Sequence, residues 1–242
     1  MAENKELVKE EKKVIFKVAN EEITLSASIV NQFIARGDKA LSNAEVGNFI
    51  QLCRYRKLNP FLNEAYPIKF GNKGAQLIVG ADAFKRKAEE NPNFKGYRAG
   101  IIVMRKTEVL ELEGAFKIPT DVLIGGWAEV HIKDREFPVV AKVNFGEYNK
   151  GQSTWKEIPC TMIRKVALVQ ALREAFPSDL GAMYSGEELG VEDKDNVQVT
   201  QEEATEEINE NANKIIIDIE VQAEKEEATE KIVQEVEYEA TF

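Results

Sequence analysis

YRAGIIVM (97–104), EVLELEGAFKI (108–118), VLIGGWAEVHI (122–132) and FPVVAKVNF (137–145) follow one another with only short polar or turn-forming breaks. Their β-branched and aromatic residues recur with a period near two, the pattern of strands with one covered face and one wet face. Connections this short join neighbours as hairpins rather than through crossover helices. The stretch therefore predicts three or four strands of an antiparallel sheet.

Outward from that sheet, TMIRKVALVQALREAF reads as one long helix from Thr161 to Phe176, stopped by Pro177. On the other side, Asp82–Glu90 reads as a helix ended by Asn91-Pro92, and Tyr66–Phe70 and Gln76–Val79 flank the turn GNKG (71–74) as a hairpin. Ser42-Asn43-Ala44-Glu45 is a capping box ahead of Val46, Phe49, Ile50, Cys53 and Lys57 at helical spacing, and Asn59-Pro60 ends that helix. A further helix is expected near Ser28–Arg36. VIFKVANEEITLS (14–26) alternates as a first hairpin, with Phe16 and Val18 facing Ile23 and Leu25 across Asn20-Glu21. This order predicts an α+β fold, an antiparallel sheet with β-hairpins and packed helices, closed by the C-terminal helix of the core.

The 242 residues carry a net charge of −10, which argues against a nucleic-acid partner because neutralising phosphates takes a basic surface. The average hides a division. Residues 191–242 hold 17 acids and 4 bases, whereas residues 1–190 hold 25 acids and 28 bases. Between Arg36 and Arg173 the count is 23 bases to 15 acids. The chain thus reads as a mildly basic domain, 1–190, followed by an acidic flexible tail, 191–242, disordered or partly helical. Within the tail, Ile215-Ile216-Ile217 and Ile232-Val233-Val236 could give a small amphipathic element.

Several chemistries have no residues to carry them. GxxxxGK[ST] does not occur, and GNKGAQ is too short for a phosphate loop. Cys53 and Cys160 form no CxxC pair, and the single His131 cannot complete a His/Cys metal set, so neither a metal nor a cofactor is expected. Glu89-Glu90 and Glu187-Glu188 read as solvated helix ends rather than a nuclease centre, and no hydrolytic site is expected. The charged start MAENKELVKEEKK has no apolar run behind it, and no stretch approaches membrane-spanning length.

What recurs instead is a base beside a ring: Arg54-Tyr55-Arg56-Lys57, Lys69-Phe70, Phe84-Lys85-Arg86-Lys87, Phe94-Lys95, Tyr97-Arg98, Tyr148 with Lys150, and Trp155-Lys156. Binders of single strands use cations along the backbone and rings against exposed bases. The bland reading stands beside it. Lys85/Glu89 and Arg86/Glu90 are i,i+4 pairs that suit any solvated helix, and Tyr66, Phe70 and Phe84 read as core. On the 161–176 helix, in steps of about 100° from Met162, the apolar face covers about 140° to 340°, and Arg164 and Lys165 fall inside it. Charges there need an anionic partner or must snorkel out from the first turn. Gln170, Arg173 and Glu174 form the opposite polar stripe, where Arg173 could reach phosphate or pair locally.

LNPFLNEAYPI (58–68), LIVGADAFKRKAEENPNFKG (77–96), GGWAEVHIKD (125–134) and WKEIPCTMIRKVALVQALREAFPSDLGAMYSGEEL (155–189) resemble, in that order and with similar spacing, the phage recombination proteins of the Red-beta/RecT family of single-strand annealing proteins. The likeness covers roughly residues 45–190. It implies ATP-independent binding of single-stranded DNA and pairing of complementary strands through an annealed duplex intermediate. The family's agent is a homo-oligomer, a ring or helical filament, with DNA along a basic groove. A companion phage exonuclease, the host single-strand binding protein and the cytoplasm of a bacterial host cell are implied with it.

By the same resemblance, Arg173 in ALREAF falls where the family has a DNA-contacting arginine, Arg164 matches a basic position, Arg86 and Trp155 match, and Lys150 is a looser equivalent. Where the family has a Lys-Arg pair this chain has Cys160-Thr161, so part of that phosphate contact is missing or is supplied by Lys156 or Lys165. The Arg54–Lys57 region is more basic here and could compensate. The expected DNA-binding set is Arg173, Arg164, Lys165, Gln170, Lys150, Trp155, Lys156, Arg86, Lys69, Lys73, Arg56 and Lys57. The competing reading is a non-enzymatic interaction module acting through its acidic C-terminal tail, by imitating DNA or docking on a basic partner.

Overall fold

The computed structural model describes residues 13–151 and 153–190. The acidic tail and the elements expected within it lie outside the described residues. Val14–Val18 (β1) and Glu21–Leu25 (β2) form the first hairpin, with Phe16 opposite Ile23, and Phe16, Val18, Ile23 and Leu25 are all buried. The turn is Ala19-Asn20, one residue earlier than the expected Asn20-Glu21, because Glu21 already pairs with Val18. Ala19 takes the positive φ of 52° that the two-residue connection requires.

Ala27–Ile29 (α1) starts on Ser26, whose Oγ accepts the Ile29 N–H, and continues as a π-helical turn over Val30–Ile34. It stops short of the expected Arg36 because Arg36–Gly37 (β3) leaves to pair in parallel with the next hairpin. Gly37 has φ 106°, and a Cβ there would sit 2.0 Å from the Lys69 carbonyl oxygen, so only glycine permits the pairing. Asn43–Arg56 (α2) opens on the expected capping box, with the Ser42 hydroxyl accepting the Glu45 N–H and the Glu45 carboxylate accepting the Ser42 N–H. It buries Val46, Phe49, Ile50 and Cys53 and ends at Lys57 in the left-handed region, ahead of Asn59-Pro60. Asn59 instead caps a 3₁₀ turn, Pro60–Leu62.

Ala65–Lys69 (β4) and Gln76–Val79 (β5) pair antiparallel, so the second sheet runs β3-β4-β5. Tyr66 and Phe84 are buried as expected, but Phe70 is exposed because the chain leaves β4 at Lys69. Ala81–Glu90 (α3) follows, ended by Asn91.

Phe94–Arg105 (β6), Glu108–Glu113 (β7), Val122–Ile132 (β8) and Val139–Asn144 (β9) form the predicted antiparallel sheet in the order β7-β6-β8-β9. Phe145–Tyr148 (α4) and Ser153–Glu157 (α5) lead to the long helix Pro159–Ala175 (α6), with Pro159 at its first turn, where a missing N–H costs nothing. This helix covers one face of the sheet through Ile163, Val166, Ala167 and Leu172, all fully buried. The approach is close enough that a Cβ on Gly126 would lie 2.5 Å from the Ile163 carbonyl oxygen. On the other face, Trp127 donates its indole N–H to the Leu112 carbonyl at 3.3 Å, and Arg98 lies 5.8 Å above its ring. His131 is exposed on that face, 3.3 Å from Glu129.

Two short helices complete the described chain, Pro177–Leu180 (α7) and Gly186–Leu189 (α8). Between them Tyr184 accepts the Val79 N–H at 2.9 Å, tying the return loop to β5. The architecture is α+β, with antiparallel pairing everywhere except β3 on β4.

Candidate nucleic-acid interface

The polar side of α6 meets α8, and this contact organises the site. Arg173 donates from Nη1 and Nη2 to the two carboxylate oxygens of Glu188 at 2.8 and 2.6 Å, and from Nη1 to the Met183 carbonyl at 3.1 Å. Its guanidinium also lies 4.8 Å from the centroid of the Tyr184 ring. Planar bidentate pairing of this kind is the strong form of an arginine–carboxylate contact. The side chains are 19% and 6% exposed, and the Glu188 hydrogen bonds hold the guanidinium firmly charged. Two turns back, Lys165 reaches Glu187 at 3.3 Å.

Glu187 and Glu188, expected as solvated helix ends, are therefore the acceptors of Lys165 and Arg173. The signal was present in Ser185-Gly186-Glu187-Glu188, a capping box in which Ser185 Oγ accepts the Glu188 N–H and Glu188 accepts the Ser185 N–H. Lys150 joins the same neighbourhood. Its stem lies against Gly190, where an added Cβ would come within 3.3 Å, and its ammonium donates to the Glu147 carbonyl at 3.4 Å. Burial raises the nearby Tyr148 phenol, with the Glu188 and Glu147 charges adding to it and Arg173 opposing.

Arg164, the other cation inside the apolar face, escapes toward the sheet and donates from Nε to the Ala99 carbonyl at 3.2 Å. Gln170 donates to Glu174 at 3.3 Å. Trp155 is 4% exposed and packs on Phe145 with ring centroids 6.1 Å apart, so its ring belongs to the core, while Lys156 beside it is exposed.

A second group forms where α2, α3 and α7 converge. Arg56 donates to the carbonyls of Ser178, Asp179 and Gly181 at 2.8, 3.1 and 2.6 Å. Arg86 is bound to Glu64 and Glu90 and donates to the Lys57 carbonyl at 3.2 Å. Lys85 pairs with Asp82 rather than the expected Glu89. Lys69 and Lys73 are not part of either group. Lys69 is paired with Glu45 at 2.7 Å at the start of α2, and about 18 Å of helix separates Glu45 from Lys57. Lys73 is exposed in the turn beyond.

The twelve expected residues thus differ in what a phosphate would have to displace. Arg173, Lys165, Arg86, Lys69 and Gln170 already hold a carboxylate. Arg56, Arg164 and Lys150 hold backbone carbonyls. Among the described residues, Lys57, Lys73 and Lys156 have no side-chain partner. The described residues contain no group of three or more His, Cys, Asp or Glu placed to hold a metal, and no helix long and apolar enough to cross a membrane.

Set beside known proteins, residues 20–211 match the model of the RecT family. An uncharacterized protein of Ureaplasma parvum serovar 3 is 27% identical over 156 residues, which is 63% of this chain and 65% of that protein.

Proposed function

The chain belongs to the RecT family of single-strand annealing proteins, which act in DNA recombination, and on that premise we propose that it binds single-stranded DNA and pairs complementary strands without ATP. The observation that carries this reading is the family match over residues 20–211, which takes in most of the basic body and the first part of the acidic segment. The side of α6 that meets α8 gives it a physical route. Arg173 and Lys165 lie there two turns apart, and a bound strand's phosphates would share or replace Glu188 and Glu187, whereas Arg164 points to the sheet and the Ala99 carbonyl.

The working form in this reading is a homo-oligomer, ring or filament, holding one strand extended so that a complementary strand can be sampled and the duplex retained. A companion exonuclease would supply the single strand, the host single-strand binding protein would be met on it, and the reaction would take place in the cytoplasm of a bacterial host.

The test mixes complementary oligonucleotides with the full chain, no nucleotide, and a chelator. Pairing faster than in buffer is the expected outcome; pairing no faster than in buffer refutes the reading. Prolonged incubation of labelled DNA with magnesium should leave it uncut.

A further inference from the structure

Tyr55 faces away from the core that α2 serves. With about 100° per residue, it lies about 180° from Val46 and so opposite the buried stripe. The ring is 75% exposed, which burial of apolar surface does not explain. Its neighbours are basic, and neither Arg54 nor Lys57 has a side-chain partner among the described residues. The ring borders a cleft of about 370 Å³ also lined by Lys87 and Glu90 from α3, Asn91 just after it and Asp179 from α7.

Charge in this cleft is unevenly settled. Burial lowers the Lys87 pKa; the carboxylates Glu90, at 3.7 Å, and Asp179 oppose that, and the charges of Arg86 and Lys57 add to it. Asp179 is itself engaged by the Asn91 amide at 2.8 Å. Two ammonium groups thus share one opening beside an exposed ring, the combination of cation and stacking surface that single strands use.

We propose that this cleft is a subsite for one nucleotide unit of single-stranded DNA, taking a phosphate between Lys57 and Lys87 and stacking the adjoining base on Tyr55. The proposal rests on the function given above and adds a contact to it. Arg56 bonds the Gly181 carbonyl and Arg173 the Met183 carbonyl, so the cleft and the α6–α8 group flank the same short segment. One strand crossing that segment meets both. No base-edge donor or acceptor is needed, so the subsite accepts any base.

The probe is Tyr55→Trp in the full chain, titrated with oligo(dT). Trp127 and Trp155 are buried, so the new indole is the exposed one among the described tryptophans. Its emission should be quenched, saturating together with the anisotropy of a labelled oligonucleotide. Emission unchanged while anisotropy saturates overturns the subsite and leaves annealing untouched. Tyr55→Ala should weaken oligonucleotide binding roughly fivefold or more, the loss of one stacked base, while Tyr55→Phe binds as the parent does. Equal affinity of Tyr55→Ala also overturns it. Absence of oligonucleotide binding by the unmodified chain removes both this subsite and the function it rests on.

Discussion

At the scale of single residues, Arg173 has two roles that one substitution cannot separate. Arg173→Ala strands Glu188, 6% exposed, with the Ser185 N–H at 3.1 Å as its main remaining donor. Breaking a buried pair from one side is costly; with the arginine partly exposed, about 2 kcal/mol is expected, read as a lower urea midpoint. Arg173→Ala with Glu188→Gln removes the stranded charge and keeps a capping-box residue, so stability should return most of the way. If Arg173 touches phosphate, both variants bind oligonucleotide more weakly; recovery of binding along with stability would assign the arginine to holding α8 alone. Glu45 offers a pH signature. Lys69 first, then the Ser42 and Ala75 N–H groups, lower its pKa from an ordinary 4.5 to about 2. A depressed carboxylate stabilises the fold above its unfolded pKa and loses that contribution as pH falls through the folded value. The melting-temperature gap between the parent and Glu45→Gln should therefore be constant above about pH 5 and shrink between about 4.5 and 2.

At the scale of elements, local signals were enough for most of the fold, and non-local ones were not. Alternation in residues 97–145, the capping box at Ser42 and the breaks at Asn91-Pro92 and Pro177 each act within a few residues, and the strands and helices they specify are present. The two-residue β3 carries no periodicity, so its parallel pairing with β4 had no readable trace. The cations at 164 and 165 were legible as misplaced on an apolar face, but their acceptors were not. Glu187 and Ala99 reach them through the fold-back of residues 177–185 and the seating of α6 on the sheet. Trp155 was readable as a ring beside a lysine; its packing on Phe145 depends on how α5 meets α4. At the α6–β8 contact helix and sheet backbones approach closely. Gly126→Ala would place a methyl 2.5 Å from the Ile163 carbonyl oxygen, backbone against backbone, and force the helix off the sheet. Such overpacking should cost about 1–3 kcal/mol or more in a urea titration. Gly74→Ala, with nothing within 4 Å of its added methyl, is the matched control and should stay within about 0.5 kcal/mol.

For the whole molecule, the governing feature is the division of charge. Net charge is −10 for the chain, yet the acids in excess sit beyond Gly190, with 17 acids and 4 bases in residues 191–242. In the sequence this acidic segment follows directly on α8 and Gly190, and Glu187 and Glu188 of that helix already hold Lys165 and Arg173. Any polyanion tethered there raises the local negative potential around those cations and works against an approaching strand. Truncation after Gly190 should therefore keep or strengthen oligonucleotide binding. An interaction module acting through its tail would instead lose its main activity. The two chains should differ most at low salt and converge as salt rises, because exposed charges farther apart than about 10 Å are largely screened at 0.1 M. For both, log affinity should fall with log salt by about 0.7 for each phosphate neutralised. Anisotropy titrations of oligo(dT) at four salt concentrations measure slope and offset together. A flat response would mean that binding does not track the phosphate backbone, and weaker binding by the truncated chain at every salt would place DNA contacts in the tail.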